Sequence, residues 1–219
     1  MPDRPILFSA PMVQALLAGT KIQTRRAIKA RNEMSLFHPG QWADRYVLDP
    51  GNAEWRAREV RFAVGDRLWV KETHAYVGTG DPGFLIYRAT YHECCAKYGF
   101  DHTPAQSEVT WKPSIFMRRA LSRLTLTVTD LRVERLQDIS DADAIAEGAT
   151  QTSVASLPGY PDQPAFHHGQ KLDPTYEGFI SAKASYRHLW DTINGKGSWD
   201  ANPWVVAVSF DVREGNIDG

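Results

Sequence analysis

The sequence has few cysteines, no long hydrophobic run and almost no net charge. Its two cysteines, Cys94 and Cys95, are neighbours. Adjacent cysteines rarely bond to each other, which argues against a disulfide framework and favours a reducing compartment. No stretch approaches the ~20 apolar residues of a membrane span, and the first residues lack the apolar segment of a signal peptide. We therefore expect a cytoplasmic protein with no membrane partner.

The near-neutral charge limits the class of partner. A formal charge of −1 argues against a protein that coats long nucleic acids by charge alone, although a compact basic site is compatible with it. The 219 residues include seven tryptophans and 42% hydrophobic residues, enough for a substantial core. We expect a single domain over residues 1–219 and, by default, a monomer.

A dense group of polar side chains follows a short helix predicted over residues 10–18. Gly19 takes the position of a C-cap glycine, which often has a positive φ. The six residues 21–26 contain an amine, a hydroxyl and two guanidinium groups, on Lys21, Thr24, Arg25 and Arg26. This pattern is typical of an anion-binding turn and also of an ordinary solvated loop. No Gly-rich run precedes Gly19, which excludes a Walker-type phosphate loop.

A second notable feature is an acid on the apolar face of a strand. The stretch Leu68–Tyr76 is rich in β-branched and aromatic residues and predicts a strand. Period-two alternation places Glu72 on the same face as Leu68 and Val70. Either the register is wrong or the acid is buried, and a buried carboxylate needs a cation such as Lys or Arg as its partner.

Residues 111–123 combine bases with aromatic rings. Trp111, Phe116 and the flanking Lys and Arg residues suit stacking on a nucleobase. A short amphipathic turn that packs Trp111, Ile115 and Met117 into the core explains the pattern equally well. Nearby, histidines and cysteines between residues 91 and 107 match no usual zinc spacing, so we expect no metal and no cofactor.

The remaining pattern predicts an α+β protein. The predicted strands are Pro5–Ser9, Thr24–Ile28, Phe84–Ala89, Leu124–Glu134 and Pro203–Val212, and the further helices are Asp141–Glu147 and Tyr176–Asn194. Turn-rich insertions occupy residues 30–60, 91–107 and 149–174. Short strands without βαβ alternation favour a small mixed β-barrel of about six strands with flanking helices, which the last strand would close.

Several segments resemble the ASCH domain family. They are Gly19–Arg26, Val64–Glu72 and Val128–Leu136, and the segments Trp111–Ile115, Arg135–Ser140 and Ser198–Trp204 are similar to its phage and prophage branch. The resemblance spans most of the chain, and the three insertions lie outside the compact versions. It implies a barrel like the PUA domains of RNA-modifying proteins.

The resemblance also implies an activity. One branch of the family comprises amidohydrolases of N4-acetylcytidine and related N4-acylated cytosines, and its Lys, Thr and Glu fall on Lys21, Thr24 and Glu72. Phage-branch relatives often carry a His at Phe116 and a Pro-Arg-Trp at Arg118-Arg119-Ala120, so the pocket wall differs. The side chains expected to bind a nucleoside substrate are Arg25, Arg26, Trp69, Trp111, Ser114 and Phe116.

Two mechanisms are compatible with these three residues. Lys21 could remove the proton of Thr24, whose hydroxyl then attacks the amide, while Glu72 holds Lys21 and passes a proton to the leaving amine. Alternatively, Glu72 could activate water and Thr24 could orient the acyl group. Arg25 or Arg26 would stabilise the oxyanion.

The competing interpretations involve RNA. In one, the chain is an RNA-binding module in which Trp111 stacks on a base and Lys21 and Arg25 contact phosphates. Six cations would then surround one cleft: Lys21, Arg25, Arg26, Lys112, Arg118 and Arg119. In the other, a Lys and an acid of the same cleft cleave RNA, an activity also found within the family. RNA binding that weakens steeply with salt would favour the module, and nucleoside turnover independent of salt would favour the enzyme.

Overall fold

The chain is a mixed α+β protein, which confirms the predicted class. A computed structural model describes residues 3–99, 104–154, 163–168 and 179–219. In this part of the chain the strands are β1 (Asp3–Leu7), β2 (Gln23–Ala27), β3 (Arg67–Lys71), β4 (His74–Val77), β5 (Phe84–Tyr87), β6 (Leu124–Arg135), β7 (Thr150–Val154), β8 (Gln163–His167) and β9 (Trp204–Glu214). The α-helices are α1 (Ala10–Leu17), α2 (Asp44–Val47), α3 (Ala53–Glu59), α4 (Tyr91–Tyr98), α5 (Asp141–Ala146) and α6 (Ala182–Asn194).

Five strands form one mixed sheet. Their order is β1-β3-β6-β9-β2, with β1 parallel to β3 and β2 antiparallel to β9. The pairs β4–β5 and β7–β8 are separate antiparallel hairpins. Among the described residues the sheet ends at β1 and β2, and no closed barrel is formed. The strand expected to close a barrel, β9, lies inside the sheet.

The stretch predicted as one strand over residues 68–76 is two strands. β3 ends at Lys71 and β4 begins at His74, and the two belong to different sheets. The burial pattern nevertheless follows the predicted alternation, because Leu68, Val70 and Glu72 are all buried. The acid therefore points inward, as expected.

The chain divides into two compact units. The first consists of Met1–Gly19, Arg67–Leu126 and Val212–Gly219. One of its apolar clusters forms around the β4–β5 hairpin and α4, with Ala75, Ile86, Tyr91, Cys95 and Val109 at its centre. The helix α4 occupies the first part of the expected insertion at 91–107.

The second unit consists of Thr20–Asp66 and Thr127–Asp211. One apolar cluster joins α5 and α6 to Leu136, Trp199 and Val205, and another surrounds Trp204. The insertion at 30–60 contributes α2 and α3 to this unit, and the insertion at 149–174 contributes the β7–β8 hairpin.

Two further expectations concern helices. The helix predicted from Tyr176 begins at Ala182, and the first three residues of the predicted range lie outside the described part of the chain. In the described ranges, no helix has the length and apolar character that crossing a membrane requires.

Candidate functional site

The basic stretch after α1 is anchored to the end of α5. Gly19 has a φ of 69°, the left-handed conformation expected of a glycine after a helix. The Ile22 N–H donates to the Ala146 carbonyl oxygen at 2.9 Å, and Lys21 forms a β-bridge with Glu147. Lys21 is thereby held against a residue 126 positions later in the chain.

The amine of Lys21 is enclosed by three oxygen acceptors. Its Nζ lies 2.7 Å from Glu147 Oε2, 2.8 Å from the Glu147 carbonyl oxygen and 2.9 Å from the Gln23 carbonyl oxygen. Lys21 is fully buried and Glu147 is 3% exposed. Burial lowers the pKa of Lys21, and the Glu147 carboxylate opposes that shift. A proton can therefore pass between amine and carboxylate without solvent.

The guanidinium of Arg25 is held from several sides. Its Nε donates to Glu134 Oε1 at 2.9 Å, and its Nη2 lies 3.2 Å from Asp143 Oδ2. On the other side, Nη1 donates to Gln23 Oε1 at 2.6 Å and lies 3.5 Å from Glu147 Oε1. Arg25 is thus a fixed cation beside the same carboxylate that meets Lys21.

Glu147 is also contacted by Tyr186 of α6. Burial is the largest cause that raises the pKa of Tyr186 well above its ordinary value, and the negative charge of Glu147 adds to it. Arg26 is close enough for Glu147 to raise the pKa of its guanidinium, although burial has the larger effect and lowers it. One carboxylate therefore gathers an amine, a guanidinium and a phenol.

A neutral imidazole lies close to this cluster. Burial lowers the pKa of His168 to about 4, with Glu147 and Lys21 acting in opposite directions on it. The His168 Nδ1 lies 2.8 Å from Ser185 Oγ. Because the pKa is so low, His168 adds no positive charge to the cluster near neutral pH.

Thr24 lies on the same strand as these cations. It is 3% exposed and pairs with Val208 of β9. Gln23 and Arg25 share one face of β2, as their side-chain hydrogen bond shows, so alternation gives Thr24 the opposite face. The structure therefore brings Lys21 and Arg25 to Glu147 and leaves the Thr24 side chain on the other side of the strand.

Glu72 belongs to the first unit and has a different cation. Its Oε1 and Oε2 accept from Arg123 Nε at 2.8 Å and Arg123 Nη2 at 2.9 Å. The Arg123 guanidinium carbon lies 4.0 Å from the ring centroid of Tyr87. Glu72 is 1% exposed, so the expected buried acid has the expected basic partner.

The first unit contains an open cavity of about 890 Å³. Its lining includes three basic side chains, two aromatic rings and one carboxylate, from His74, Lys112, Arg118, Tyr76, Phe116 and Asp81. Phe116 is 70% exposed. Of the predicted binding residues in this unit, Phe116 is the one that lines the cavity.

The other predicted binding residues of this unit have different surroundings. Trp111 packs edge-on against Tyr91 with the ring centroids 5.8 Å apart, and its Nε1 donates to Gln106 O at 3.0 Å. Trp69 is half-buried beneath the Lys71 amine, 5.4 Å from the ring centroid. Ser114 begins a single 3₁₀ turn that carries Phe116. Trp111 and the buried Met117 thus follow the core-packing interpretation, whereas Ile115, which it also placed in the core, is 61% exposed.

The six cations of the RNA interpretation do not form one exposed basic surface. Lys21 and Arg25 are buried with acidic partners. Arg119 is paired with Asp3 and Asp218. The cations that line the cavity of the first unit are Lys112 and Arg118.

Sequence reasoning missed Glu147, Tyr186 and His168. Glu147 follows the last residue of α5, where the helix dipole is unfavourable for a negative charge. An acid at that position is therefore a sign that cations lie nearby. No comparable sequence feature distinguishes Tyr186 or His168.

The comparisons with known proteins give no family. No family model, no curated protein and no solved structure matches the chain. Within the described ranges, no group of three or more His, Cys, Asp or Glu side chains is arranged to hold a metal ion. These comparisons therefore add nothing to the side-chain chemistry described above.

Proposed function

We propose that the protein is an amidohydrolase that removes the acyl group from N4-acetylcytidine or related N4-acylated cytosine nucleosides. The observation that carries the proposal is the buried contact of 2.7 Å between the Lys21 amine and the Glu147 carboxylate. Hydrolysis of an amide needs a base for the attacking water and an acid for the leaving amine. A Lys–Glu pair supplies both. The resemblance to the ASCH family supplies the substrate.

The Lys21–Glu147 pair ends the reaction in the same protonation state in which it begins. Glu147 takes a proton from water as the water oxygen bonds to the acyl carbon. The C–N4 bond breaks, and the Lys21 ammonium gives a proton to the departing N4. Glu147 then returns a proton to Lys21 across their hydrogen bond, which restores the ion pair and leaves the free acid and cytidine.

The neighbouring cations have distinct roles in this proposal. Arg25 is neutralised by Glu134 and Asp143 and positions Glu147. Arg26 is half-buried and close to the carboxylate. Because it alternates with Arg25 and shares the strand face of Thr24, it is assigned, with Thr24, to orienting the acyl group.

Thr24 is assigned an orienting role. A threonine nucleophile needs a base within hydrogen-bond reach of its hydroxyl, and the alternation of β2 points Thr24 away from the face of Gln23 and Arg25. We therefore favour direct attack by water. Under this mechanism Thr24→Ala weakens turnover without abolishing it, and no acyl-enzyme accumulates during a single turnover.

Hydrolysis of N4-acetylcytidine, followed by the change in absorbance, tests the proposal. Glu147→Gln and Lys21→Met are expected to lower kcat by about 100-fold or more. Glu72→Gln is the matched control, because it alters the other buried, ion-paired carboxylate. Loss of activity in Glu72→Gln but not in Glu147→Gln would assign the role to Glu72 instead. If the folded wild type hydrolyses none of several N4-acyl derivatives, the proposed function is wrong.

Membership of the ASCH family and the PUA-like barrel are part of the same proposal. The segment Gly19–Arg26 supports the family, whereas the five-strand mixed sheet of the described residues is open. RNA binding through Lys21 and Arg25 has less support, because each of these cations is already paired with a carboxylate that a phosphate would have to displace.

A further inference from the structure

The cavity of the first unit has the size of a small-molecule site and a composition of its own. About 890 Å³ is within the range of pockets that hold cofactors and nucleotides. All the residues that line it belong to this unit. Its lining includes neither Lys21 nor Glu147, and no step of the proposed hydrolysis uses it.

The two exposed cations of the cavity, Lys112 and Arg118, differ in their partners from three other arginines of this unit. Arg67, Arg119 and Arg123 are each paired with a carboxylate. Lys112 and Arg118 have no such partner in the described ranges of the chain, and Asp81 is the acid among the lining residues. The cavity is therefore a site of positive charge in a chain whose formal charge is −1.

Two aromatic rings accompany these cations. Tyr76 lies beneath the Lys112 amine, which is 5.5 Å from the ring centroid. Phe116 leaves most of its ring in water, which is unfavourable for a large apolar side chain unless another group covers it. A flat aromatic ligand that stacks on Phe116 would bury that surface.

The inner wall of the cavity is rigid. His74 is 2% exposed, and its Nδ1–H donates to the Glu72 carbonyl oxygen at 3.2 Å. The backbones of His74 and Lys112 exchange two hydrogen bonds, of 2.8 and 3.2 Å. The imidazole and the base of the Lys112 side chain are thus fixed before any ligand arrives.

We propose that this cavity binds a nucleotide, with its base stacked on Phe116 and its phosphate held by Lys112 and Arg118. An uncharged aromatic ligand would leave the two cations unused, and an inorganic anion would leave the Phe116 ring exposed. A nucleoside phosphate would pair with the two cations and also cover the Phe116 ring. The source of this chemistry is either a free nucleotide or one nucleotide of an RNA strand.

Calorimetric titration of the full chain with cytidine 5′-monophosphate, inorganic phosphate and a single-stranded RNA of about ten nucleotides tests the site. Phe116→Ala and Arg118→Gln should each weaken binding of the mononucleotide by about tenfold or more. Ile115→Ala is the matched control for Phe116→Ala, because Ile115 is an exposed neighbour on the same turn. Lys97→Gln is the matched control for Lys112→Gln, because its amine also lies over a tyrosine ring, that of Tyr98, outside the cavity.

The outcomes are distinct. Equal affinity for the mononucleotide and the RNA assigns the site to a free nucleotide, and clearly tighter binding of the RNA assigns it to a strand. Absence of binding to both overturns the proposal. So does binding that Phe116→Ala and Arg118→Gln leave unchanged, or inorganic phosphate that competes as well as the nucleotide.

Discussion

Glu147 lies at the end of a helix, where a negative charge is unfavourable, and neighbouring side chains compensate for this. The end of α5 presents carbonyl oxygens, which repel a carboxylate. Lys21, Arg25 and the Tyr186 hydroxyl compensate for that repulsion and for the loss of water. The burial of this carboxylate therefore depends on segments far apart in sequence, and removing Glu147 leaves the buried Lys21 amine without its counter-charge.

Replacing Glu147 should destabilise the protein strongly. Glu147→Ala is expected to lower the free energy of unfolding by about 3–5 kcal/mol, because it leaves the buried Lys21 amine without its carboxylate partner. Urea denaturation measures the loss. Glu54→Ala, which breaks an exposed ion pair with Arg58 on α3, should cost less than about 1 kcal/mol.

A double variant separates stability from chemistry. Lys21→Met combined with Glu147→Leu replaces the buried pair by apolar side chains and should regain most of the lost stability, yet remain inactive. If Glu147→Ala proves no more destabilising than Glu54→Ala, the cluster contributes little to the fold.

His168 predicts a pH dependence with a definite sign. Its pKa is lowered from 6.5 to about 4, so the unfolded chain binds more protons between these values and stability falls as the pH falls through this window. Between about pH 7 and about pH 5 the wild type should lose about 2 kcal/mol through this residue. Urea unfolding of His168→Gln at both pH values should show a correspondingly smaller loss. His188→Gln, at an exposed position of α6, controls for removal of an imidazole as such.

At the scale of elements, the start of α5 follows its sequence closely. Ser140 caps this helix, because its Oγ accepts from the Asp143 N–H at 3.1 Å. The Asp143 carboxylate also forms ion pairs with Arg25 and Arg132. The capping residues therefore connect the geometry of the helix to the cluster around Glu147.

A comparison of two helix caps tests that connection. Ser140→Ala and Ser181→Ala each remove a hydroxyl that accepts from the third residue of a helix, α5 or α6. Each should lower the free energy of unfolding by about 1 kcal/mol. Only Ser140→Ala should also reduce hydrolysis, because α5 carries Glu147 at its end. If the two variants hydrolyse the substrate at equal rates, the Ser140 cap has no influence on the site around Glu147.

Local pattern predicted elements and burial better than it predicted partners. The helix at residues 10–18, the long strand from Leu124 and the alternation around Glu72 all follow from periodicity and capping. The same periodicity could not tell that β3 and β4 pair with different strands, because pairing is decided by residues distant in sequence. Short helices in the insertion at 30–60 were also missed, since helices of four to seven residues depend on packing.

The site shows the same division. The sequence placed Lys21 and Arg25 together on one turn, and it identified Glu72 as a buried acid that needs a cation. It could not identify Arg123 as that cation or Glu147 as the acid beside Lys21, because both contacts join segments far apart along the chain. The local pattern predicted that the buried acid needs a counter-ion, but it did not predict which residue supplies that counter-ion.

At the scale of the whole molecule, each unit is assembled from separate segments. In the first unit, Asn216 donates its side-chain N–H groups to the Arg119 and Ser122 carbonyl oxygens at 2.9 and 2.8 Å. The Arg67 guanidinium donates to the Ile217 carbonyl oxygen at 3.1 Å. Ile217 is 1% exposed. Val212–Gly219 is therefore an integral part of a unit that otherwise ends at Leu126.

Ile217 should be as important as a residue of the central core. Ile217→Ala is expected to lower the free energy of unfolding by about 2–5 kcal/mol, measured with urea, because it leaves a cavity. Ile193→Ala removes the same atoms from a position that is 55% exposed, and should change stability by less than about 0.5 kcal/mol. Similar losses in both variants would mean that Val212–Gly219 is only loosely attached.

The position of Val212–Gly219 has a consequence for synthesis on the ribosome. Residues 67–126 emerge early, but the hydrogen bonds from Gly215 to Arg123 and from Thr125 to Gly215 form only after more than eighty further residues have been translated. Until then the growing chain carries a half-finished unit, whose apolar side chains around Ile217 lack their last partner. Contacts so distant in sequence slow folding, so this interval is when a nascent chain would most depend on a chaperone.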